Sequence, residues 1–350
     1  MRLTLVTGVP GWLGTRLVRV LTEGLPEIAS LARPDPERRI RCFALPGADV
    51  SKLPGVGGRV EIKEGDVRDA AALRTFFENA AGATLFHCAG VIHPTRGVRE
   101  FFEVNLEGTR RLLQNAEETG VRRVVVVSSN SPAGNNPHRG HLFDEESPYN
   151  PYMGYGRSKM LMEQVVHECQ ARGRLETVIV RPPWFYGPDQ PPRQTLFFRM
   201  IRDGKMPIVG DGENRRSMVY VDNLCQGLLL CESTPAAGGQ TYWIADRRPY
   251  TMNEIVDTVE RLMETEFNVT VSHKRMRLPH FVGEVATHID RSLQALGIYN
   301  QKIHVLSEMN KTIACSVARA EKELAYQPVI GLEEGMRRSL AWLFRSGERL

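Results

Sequence analysis

The feature that most constrains the fold of this chain is a glycine-rich turn near its start. Residues 7–14 read TGVPGWLG and join the apolar segment Leu3–Thr7 to the amphipathic segment Leu13–Glu23. In such a turn the glycines permit a tight bend, close approach of backbone to a pyrophosphate, and close packing of helix on strand. The first N–H groups of the helix then face the phosphate. The residues assigned to this dinucleotide-binding turn are Gly8, Gly11, Trp12, Leu13 and Gly14.

Short apolar segments alternate with amphipathic segments over the first two thirds of the chain. This alternation is typical of a parallel sheet with helices on both faces. The sequence therefore predicts an α/β fold, a Rossmann-type doubly wound parallel sheet with a smaller C-terminal α/β substrate domain. The predicted strands are Leu3–Thr7, Ile28–Ala32, Val60–Lys63, Thr84–Ala89, Val124–Ser128, Thr177–Val180 and Thr241–Ile244. The predicted helices are Leu13–Glu23, Ala70–Asn79, Phe101–Glu118 and Tyr155–Arg172.

The alternation fades after the sixth predicted strand, which indicates a change of domain. We assign residues 1–187 and about 219–246 to the dinucleotide-binding domain, and about 188–218 and 247–350 to a substrate-binding domain. Ligands of open α/β sheets bind at the carboxyl ends of the strands. We therefore expect the smaller domain to cover that edge and to set substrate selectivity.

Composition excludes several other classes of protein. The chain has 350 residues, of which 42% are hydrophobic and 25% charged, a balance that fits neither a disordered nor a fibrous chain. A net charge of +4 is too small at this length to indicate nucleic acid as a partner. We find no long apolar run and no signal-peptide pattern, so we expect a cytoplasmic protein without membrane contact. The six cysteines form no CxxC pair and no zinc spacing, so we expect no metal site.

Two short segments stand where the adenosine of a dinucleotide would lie. Asp66 and Val67 follow the third predicted strand, and a carboxylate there could accept a hydrogen bond from an adenine amino group. Ala89 and Gly90 end the fourth, where small residues let backbone pass close to the ribose. His87 is interpreted as a packed histidine rather than a catalyst.

The end of the second predicted strand bears on the choice between NAD and NADP. Proteins that bind NAD usually place an acid there for the ribose 2′-hydroxyl. Residues 30–33 read SLAR, which has no acid, and Arg33 could hold a 2′-phosphate. The sequence therefore favours NADP over NAD, unless Arg33 is a solvated loop residue. The segment Pro34–Gly58 is interpreted as an irregular surface insertion near the adenosine.

A second group of residues carries the chemistry of a reacting hydroxyl. Tyr155 and Lys159 are four residues apart on a predicted helix and so share one face. A nearby ammonium lowers the pKa of a phenol toward the working range, and the same lysine can bind a nicotinamide ribose. Ser128 and Ser129 end the fifth predicted strand, where a hydroxyl can polarise a carbonyl. Such a tyrosine–lysine pair also arises by chance, so it does not establish a site alone.

Together these motifs resemble the extended short-chain dehydrogenase/reductase family, in its epimerase/dehydratase and 3β-hydroxysteroid dehydrogenase-like branch. The matching segments, in chain order, are TGVPGWLG at 7–14, GDV at 65–67, SS at 128–129, YGRSK at 155–159, RPPWFYGP at 181–188 and VYVDN at 219–223. The resemblance implies a Rossmann domain that binds NAD(P), with Pro182 also at the cofactor. It further implies a homodimer that forms through the helices Phe101–Glu118 and Tyr155–Arg172.

The resemblance also assigns roles in catalysis. It implies that Tyr155 is the acid–base, that Lys159 is its partner and that a serine is the third member. Counting from Gly134, which matches a glycine of the family's serine segment, places the catalytic hydroxyl on Ser129, with Ser128 as the alternative.

Departures from the family pattern reduce the number of possible substrate classes but do not identify one. Asn130 follows Ser129 where dehydratases carry an Asp-Glu pair, which disfavours dehydration. Trp184 stands where sugar-nucleotide epimerases often carry an asparagine, which suggests an apolar substrate surface or core packing. Arg216 matches an arginine that meets the pyrophosphate of a sugar nucleotide. The expected substrate-site residues are Ser129, Asn130, Trp184 and Arg216.

The sequence therefore predicts an NAD(P)-dependent oxidoreductase that interconverts a secondary alcohol and a ketone of a small-molecule substrate. The alternative is a nucleoside-diphosphate-sugar epimerase that oxidises C4 transiently. A remote alternative is a non-catalytic NADP-sensing regulator. Such regulators have generally lost the tyrosine or the lysine, and this chain keeps both Tyr155 and Lys159.

Overall fold

The structure is a computed structural model that describes residues 2–347. The strands are β1 (Arg2–Val9), β2 (Arg38–Ala44), β3 (Val60–Glu64), β4 (Thr84–His87), β5 (Arg123–Val127), β6 (Glu176–Arg181), β7 (Trp184–Tyr186), β8 (Pro207–Val209), β9 (Arg215–Arg216), β10 (Met218–Tyr220), β11 (Thr241–Trp243), β12 (Tyr250–Thr251) and β13 (Met276–Leu278). The helices are α1 (Trp12–Glu23), α2 (Ala70–Phe76), α3 (Arg99–Phe101), α4 (Thr109–Glu118), α5 (Met153–Ala171), α6 (Pro192–Arg202), α7 (Val221–Ser233), α8 (Met252–Thr265), α9 (His280–Ala295), α10 (Gln301–Glu308), α11 (Ala318–Leu324) and α12 (Leu332–Arg345).

Seven parallel strands form the central sheet, in the order β3-β2-β1-β4-β5-β6-β11. Strand β5 shows why the sheet needs helices on both sides, because Val125 and Val127 enter one core and Val124 and Val126 enter the other. Helices α1, α7 and α11 cover the first face, and α2, α4 and α5 cover the second. This is the predicted doubly wound Rossmann architecture.

A third apolar core lies outside the sheet. It joins β7 and β10 to α6, α8 and α12, with Phe198, Ile255 and Leu340 fully buried in it. The later segment 317–326 returns instead to the first core, where Ala320 and Tyr326 are buried. The chain after β11 therefore divides between two cores.

The strand predicted over Ile28–Ala32 is wrong, and so is the irregular insertion predicted over Pro34–Gly58. Residues 29–31 form a 3₁₀ turn, and the second strand is β2. In β2 the buried Ile40 and Cys42 alternate with arginines, which is the pattern of a strand near a sheet edge. A search for continuous apolar runs passes over this alternation, and that is why the prediction failed.

The other strand and helix predictions are confirmed, with ends that shift by a few residues. Asp69 caps α2 by accepting hydrogen bonds from Ala71 N at 2.8 Å and Ala72 N at 3.3 Å. The helix predicted over Phe101–Glu118 contains a π-helical segment, Phe102–Gly108, between α3 and α4. Within residues 2–347, no helix is long and apolar enough to cross a membrane.

Candidate functional site

The glycine turn between β1 and α1 is built from backbone-to-backbone contacts. Gly8 has φ +84°, and a Cβ on it would lie 2.6 Å from the carbonyl carbon of Cys88. A Cβ on Gly11 or Gly14 would lie 2.7 Å or 2.5 Å from the carbonyl oxygen of Gly8. No side chain caps the start of α1, and its first turn holds no acid. The turn therefore leaves helix N–H donors and a partial positive charge for a phosphate, which fits a dinucleotide.

Trp12 and Leu13 contribute to this turn through packing of their side chains. The indole Nε1 of Trp12 donates to the carbonyl oxygen of Pro188 at 2.6 Å, and its ring lies 4.9 Å from that of Phe185. Leu13 is buried in the first core. These contacts fix the direction of α1 and leave the backbone of its first turn for a ligand.

The prediction that Arg33 binds a 2′-phosphate is wrong. Arg33 precedes β2, which begins with Arg38 opposite Arg2 at the amino end of β1. That edge is opposite to the glycine turn, because the turn follows the carboxyl end of β1. At the true end of β2 the chain continues through Leu45, which is 57% exposed and uncharged. The end of this strand therefore favours neither NAD nor NADP by charge.

The two predicted adenosine segments lie beside the turn. The Asp66 carboxylate accepts from the guanidinium of Arg68 at 2.6 and 2.9 Å, and these bonds hold the pKa of Asp66 below its usual value. Val67 is buried against Gly108, where a Cβ would lie 2.7 Å from Val67 Cγ2. Ala89 and Gly90 follow β4, next to the glycine turn. A contact of Asp66 with adenine stays a prediction.

His87 is a structural residue within a chain of hydrogen bonds. Ala89 N donates to Thr7 Oγ1 at 3.2 Å, and that hydroxyl donates to His87 Nδ1 at 2.8 Å. His87 Nε2 donates to Thr109 Oγ1 at 2.9 Å, which in turn donates to the carbonyl oxygen of Asn105 at 2.7 Å. The bond from Thr109 to Asn105 makes Nε2 the donor, and Nδ1 accepts from Thr7 because the buried ring is neutral. Burial lowers the pKa of His87 to about 3, with the charge of Lys159 as a smaller cause.

This arrangement predicts a stability that falls with acid. Because the folded pKa lies below the unfolded value near 6.5, the stabilisation is complete above pH 6.5 and is lost as the pH falls toward 3. Wild type should lose about 2 kcal/mol of unfolding free energy through this group by about pH 5. Urea unfolding at about pH 7.5 and pH 5 should show a shallower pH dependence for His87→Gln. The exposed His138→Gln should match wild type, and an unchanged pH dependence in His87→Gln would contradict the assignment.

The reacting hydroxyls meet where α5 approaches the segment that follows β5. Tyr155 is in the first turn of α5, and its phenol interacts with the hydroxyl of Ser129. Gly156 makes this approach possible, because a Cβ there would lie 2.7 Å from the carbonyl oxygen of Ser131. The Ser129 hydroxyl also lies 3.2 Å from Ser131 Oγ and 3.4 Å from Asn130 Oδ1. Ser129 and Tyr155 are therefore neighbours, as the sequence predicts.

Ser128 faces the opposite way, into a buried ion pair. Its hydroxyl donates to Glu163 Oε1 at 2.5 Å. Glu163 is fully buried and pairs with Arg181 at 2.7 Å, and Tyr149 donates to the same carboxylate at 2.9 Å. This placement gives Ser128 a structural partner and leaves Ser129 as the serine that contacts Tyr155.

Lys159 lies beneath the ends of β4 and β5. Its Nζ donates to the carbonyl oxygen of Val127 at 3.0 Å, and a Cβ on Gly90 would lie 3.3 Å from that Nζ. Asn105 braces the same region by accepting from Val91 N at 2.8 Å and donating to Val91 O at 3.0 Å. Burial lowers the pKa of Lys159 to about 8, while the charge of Glu163 opposes this.

The expectation that Lys159 lowers the pKa of Tyr155 is not met in this structure. Burial raises the pKa of Tyr155 to about 12, and the charge of Glu308 acts in the same direction. Ser129 and Arg193 oppose the rise but do not outweigh it. Tyr155 is therefore a neutral phenol here, because the free-energy cost of burying a phenolate exceeds the stabilisation that Ser129 and Arg193 give it.

We call the region around Ser129, Tyr155 and Lys159 the cleft. The remaining predicted residues lie on or next to β6, β7 and β9. Pro182 is buried directly after β6. Trp184 packs against the third core, with its ring 5.3 Å from Phe197 and its indole donating to Gln194 at 3.3 Å, which favours its interpretation as a packing residue. Arg216 donates to the carbonyl oxygen of Glu308, and burial lowers its pKa.

The helices α9 and α10 cover the cleft, which the sequence did not reveal. Tyr299, in the turn between them, bonds to His93 Nδ1 at 2.8 Å, and Phe101 lies 5.6 Å from Tyr299 and 5.7 Å from Tyr155. Gln294 accepts from Gly154 N at 2.9 Å, at the start of α5. Tyr299 lies 206 positions from His93 and Gln294 lies 140 positions from Gly154, so no local signal could identify these contacts.

Two charged residues of the cleft were also missed. Arg193, in the first turn of α6, acts electrostatically on His93, Tyr155 and Tyr299. Glu308, at the end of α10, raises the pKa of Tyr155 and that of Tyr299. Within residues 2–347, no group of acidic, histidine or cysteine side chains could hold a metal ion. The cleft therefore relies on hydroxyls and isolated charges.

Comparisons with known proteins agree with this geometry. Residues 4–245 match the NAD dependent epimerase/dehydratase family. The chain is 52% identical over 347 residues to the uncharacterized protein y4nL of Sinorhizobium fredii, covering 99% of this chain and 96% of that one. It is 25% identical over 364 aligned positions to 3 beta-hydroxysteroid dehydrogenase type 7 of Mus musculus, covering 97% and 95%. The solved structure of DesIV, a dTDP-glucose 4,6-dehydratase from Streptomyces venezuelae with NAD and TYD bound, has a TM-score of 0.74 at 25% identity, covering 98% and 97%.

Proposed function

The chain belongs to the NAD dependent epimerase/dehydratase family, and we propose that it is an NAD(P)-dependent oxidoreductase that interconverts a secondary alcohol and a ketone. The observation that carries this proposal is the juxtaposition of Ser129, Tyr155 and Lys159 at the carboxyl edge of the sheet, beside an uncapped helix N-terminus. Proton exchange at a hydroxyl next to a dinucleotide site is the chemistry that this group of residues can perform.

Each residue has a distinct part in the proposed reaction. The bound nicotinamide coenzyme supplies or accepts the hydride. Tyr155, a neutral phenol, donates its proton to the substrate oxygen during reduction and recovers it during oxidation. The Ser129 hydroxyl donates to the same oxygen and orients it. Lys159 holds the ribose, because its ammonium has three donors and uses two of them, on Val127 O at 3.0 Å and on Met162 Sδ at 3.7 Å.

Replacing each serine separately tests this division of roles. Ser129→Ala removes a donor to the substrate oxygen, so kcat should fall by about 10²-fold. Ser128→Ala should leave kcat nearly unchanged and instead lower the unfolding free energy by about 1–3 kcal/mol, because Glu163 loses a donor. Steady-state rates and urea unfolding of both variants measure the two effects. A larger loss of kcat in Ser128→Ala than in Ser129→Ala would reverse the assignment.

One observation favours the alternative of a nucleoside-diphosphate-sugar epimerase. Arg193 acts electrostatically on Tyr155 and has no carboxylate partner within residues 2–347, and Arg216 lies near Tyr152 and Glu308. Guanidinium groups of this kind suit a diphosphate. In the epimerase, Tyr155 would exchange the C4 hydroxyl proton twice, with no net change of redox state.

Denaturing the purified protein and identifying the released small molecules distinguishes the two reactions. An oxidoreductase with net turnover exchanges its coenzyme, so the protein should release little and should then bind NADH or NADPH reversibly. Retained NAD together with a nucleoside-diphosphate sugar would contradict the proposal and support the epimerase. Arg216→Ala adds a check, because only the epimerase predicts a large loss of affinity for such a sugar.

A further inference from the structure

An apolar stripe runs along the solvent side of α9. Phe281, Val285 and Ile289 are 65%, 50% and 46% exposed, and their spacing of four residues places them on one face of the helix. Leu296, directly after the helix, is 76% exposed. We call these four residues the α9 stripe. The residues that α9 buries are small or polar, namely Gly283, Ala286, Thr287 and Asp290. The helix therefore turns its larger apolar side chains toward solvent, opposite to an ordinary surface helix.

Exposed apolar side chains concentrate around this stripe. Met276, Ile298 and Val305, which precede or follow α9 closely in the chain, are also 45%, 51% and 45% exposed. Single exposed apolar residues are common on soluble proteins, but a contiguous group marks a contact surface. Within residues 2–347, no large exposed hydrophobic side chain lies on α4 or α5, the helices through which a dimer is expected.

Four exposed cationic residues lie within α9 or close to it in the chain. Lys274, Arg277, Arg291 and Lys302 are exposed, and within the described part of the chain none of them pairs with a carboxylate. The acids of α9 already have partners, because Glu284 pairs with Lys311 and the buried Asp290 bonds to His304. The surface therefore combines apolar contact area with unpaired positive charge.

Charge decides what covers this surface. A two-fold contact between copies would place this surface against an identical surface. The four cations would then face more cations, because the acids of α9 already have partners. An anionic lipid surface offers phosphates to the cations and acyl chains to Phe281 and Leu296. We propose that α9 docks on an anionic lipid surface, with the α9 stripe inserted between headgroups and the four cations bound to lipid phosphates.

The proposal concerns surface contact and needs no spanning helix. It goes beyond the expectation of no membrane contact, which rested on the lack of an apolar run. It does not depend on the redox assignment, because neither the stripe nor its cations belong to the group around Tyr155. The same helix pair covers the cleft through Tyr299, so lipid contact would bring the cleft to the bilayer surface.

Sedimentation of the whole protein with vesicles tests the proposal. The probes are vesicles of phosphatidylcholine alone and vesicles that also contain phosphatidylglycerol. Wild type should bind the mixed vesicles and bind phosphatidylcholine weakly. Phe281→Ser with Leu296→Ser should weaken binding at least about tenfold, and Arg291→Glu with Lys302→Glu about tenfold as well. The matched control Val56→Ser with Val329→Ser changes residues that are 47% and 48% exposed elsewhere, and it should bind like wild type.

Several results would overturn the proposal. One is failure of the wild-type protein to bind the mixed vesicles. Another is an equal loss of vesicle binding in the control variant and the stripe variant. A wild-type dimer that the stripe substitutions convert to monomer, without vesicle binding, would show instead that a second copy covers α9. Circular dichroism and light scattering on every variant separate these results from misfolding.

Discussion

Tyr155→Phe should nearly abolish turnover while leaving the fold and coenzyme binding intact. The substitution removes the only atom of this side chain that exchanges a proton, and general acid–base catalysis contributes about 10²–10⁴-fold to rates. The ring keeps its contact with Phe101, so the loss should fall on kcat. The measurements are kcat on the best substrate from a panel of secondary alcohols and ketones, and fluorescence titration with NADH and NADPH.

A matched tyrosine controls for loss of a hydroxyl as such. Tyr242 donates to Glu323 at 2.8 Å and lies on β11, away from the cleft, so Tyr242→Phe should keep ordinary kcat. If Tyr155→Phe retained ordinary activity, the assignment of the acid–base would be wrong. If it lost coenzyme binding as well, the residue would support the dinucleotide site instead.

Glu163→Gln should strongly destabilise the Rossmann core. Glu163 is fully buried and Arg181 is 4% exposed, so the change leaves a guanidinium without a counter-charge. Arginine stays charged under these conditions, and breaking one side of a buried pair costs about 3–5 kcal/mol. Urea unfolding at neutral pH measures the loss. Glutamine keeps only one of the two carboxylate oxygens, so either Ser128 or Tyr149 should also lose its acceptor.

Two further variants show whether the charge pair is the cause. Glu163→Gln combined with Arg181→Met removes both charges and should recover part of the lost stability. Glu103→Gln breaks ion pairs of similar type at the surface and should cost at most about 1 kcal/mol. Equal losses in Glu163→Gln and Glu103→Gln would mean that burial of the pair is unimportant for stability.

Features that depend on neighbouring residues could be predicted from the sequence. The glycine turn at 7–14, the helix that carries Tyr155 and Lys159, and most strands of the sheet follow from local spacing and periodicity. Such patterns can be recognised in a sequence because a tight turn, or the buried face of a helix, is formed by residues only a few positions apart. The fold class and the order of the motifs could therefore be predicted.

Features that depend on contacts between distant segments could not be predicted from the sequence, and the three-dimensional structure was needed to find them. It placed β2 within a segment taken for a loop and moved Arg33 to the far edge of the sheet. It also turned Ser128 toward Glu163 and Ser129 toward Tyr155, although the two serines are adjacent in sequence. The cover of the cleft by α9 and α10, and the burial that raises the pKa of Tyr155, follow from packing between segments more than 100 residues apart. Local sequence patterns do not predict such packing, because the packing depends on which surfaces remain to be buried once the sheet has formed.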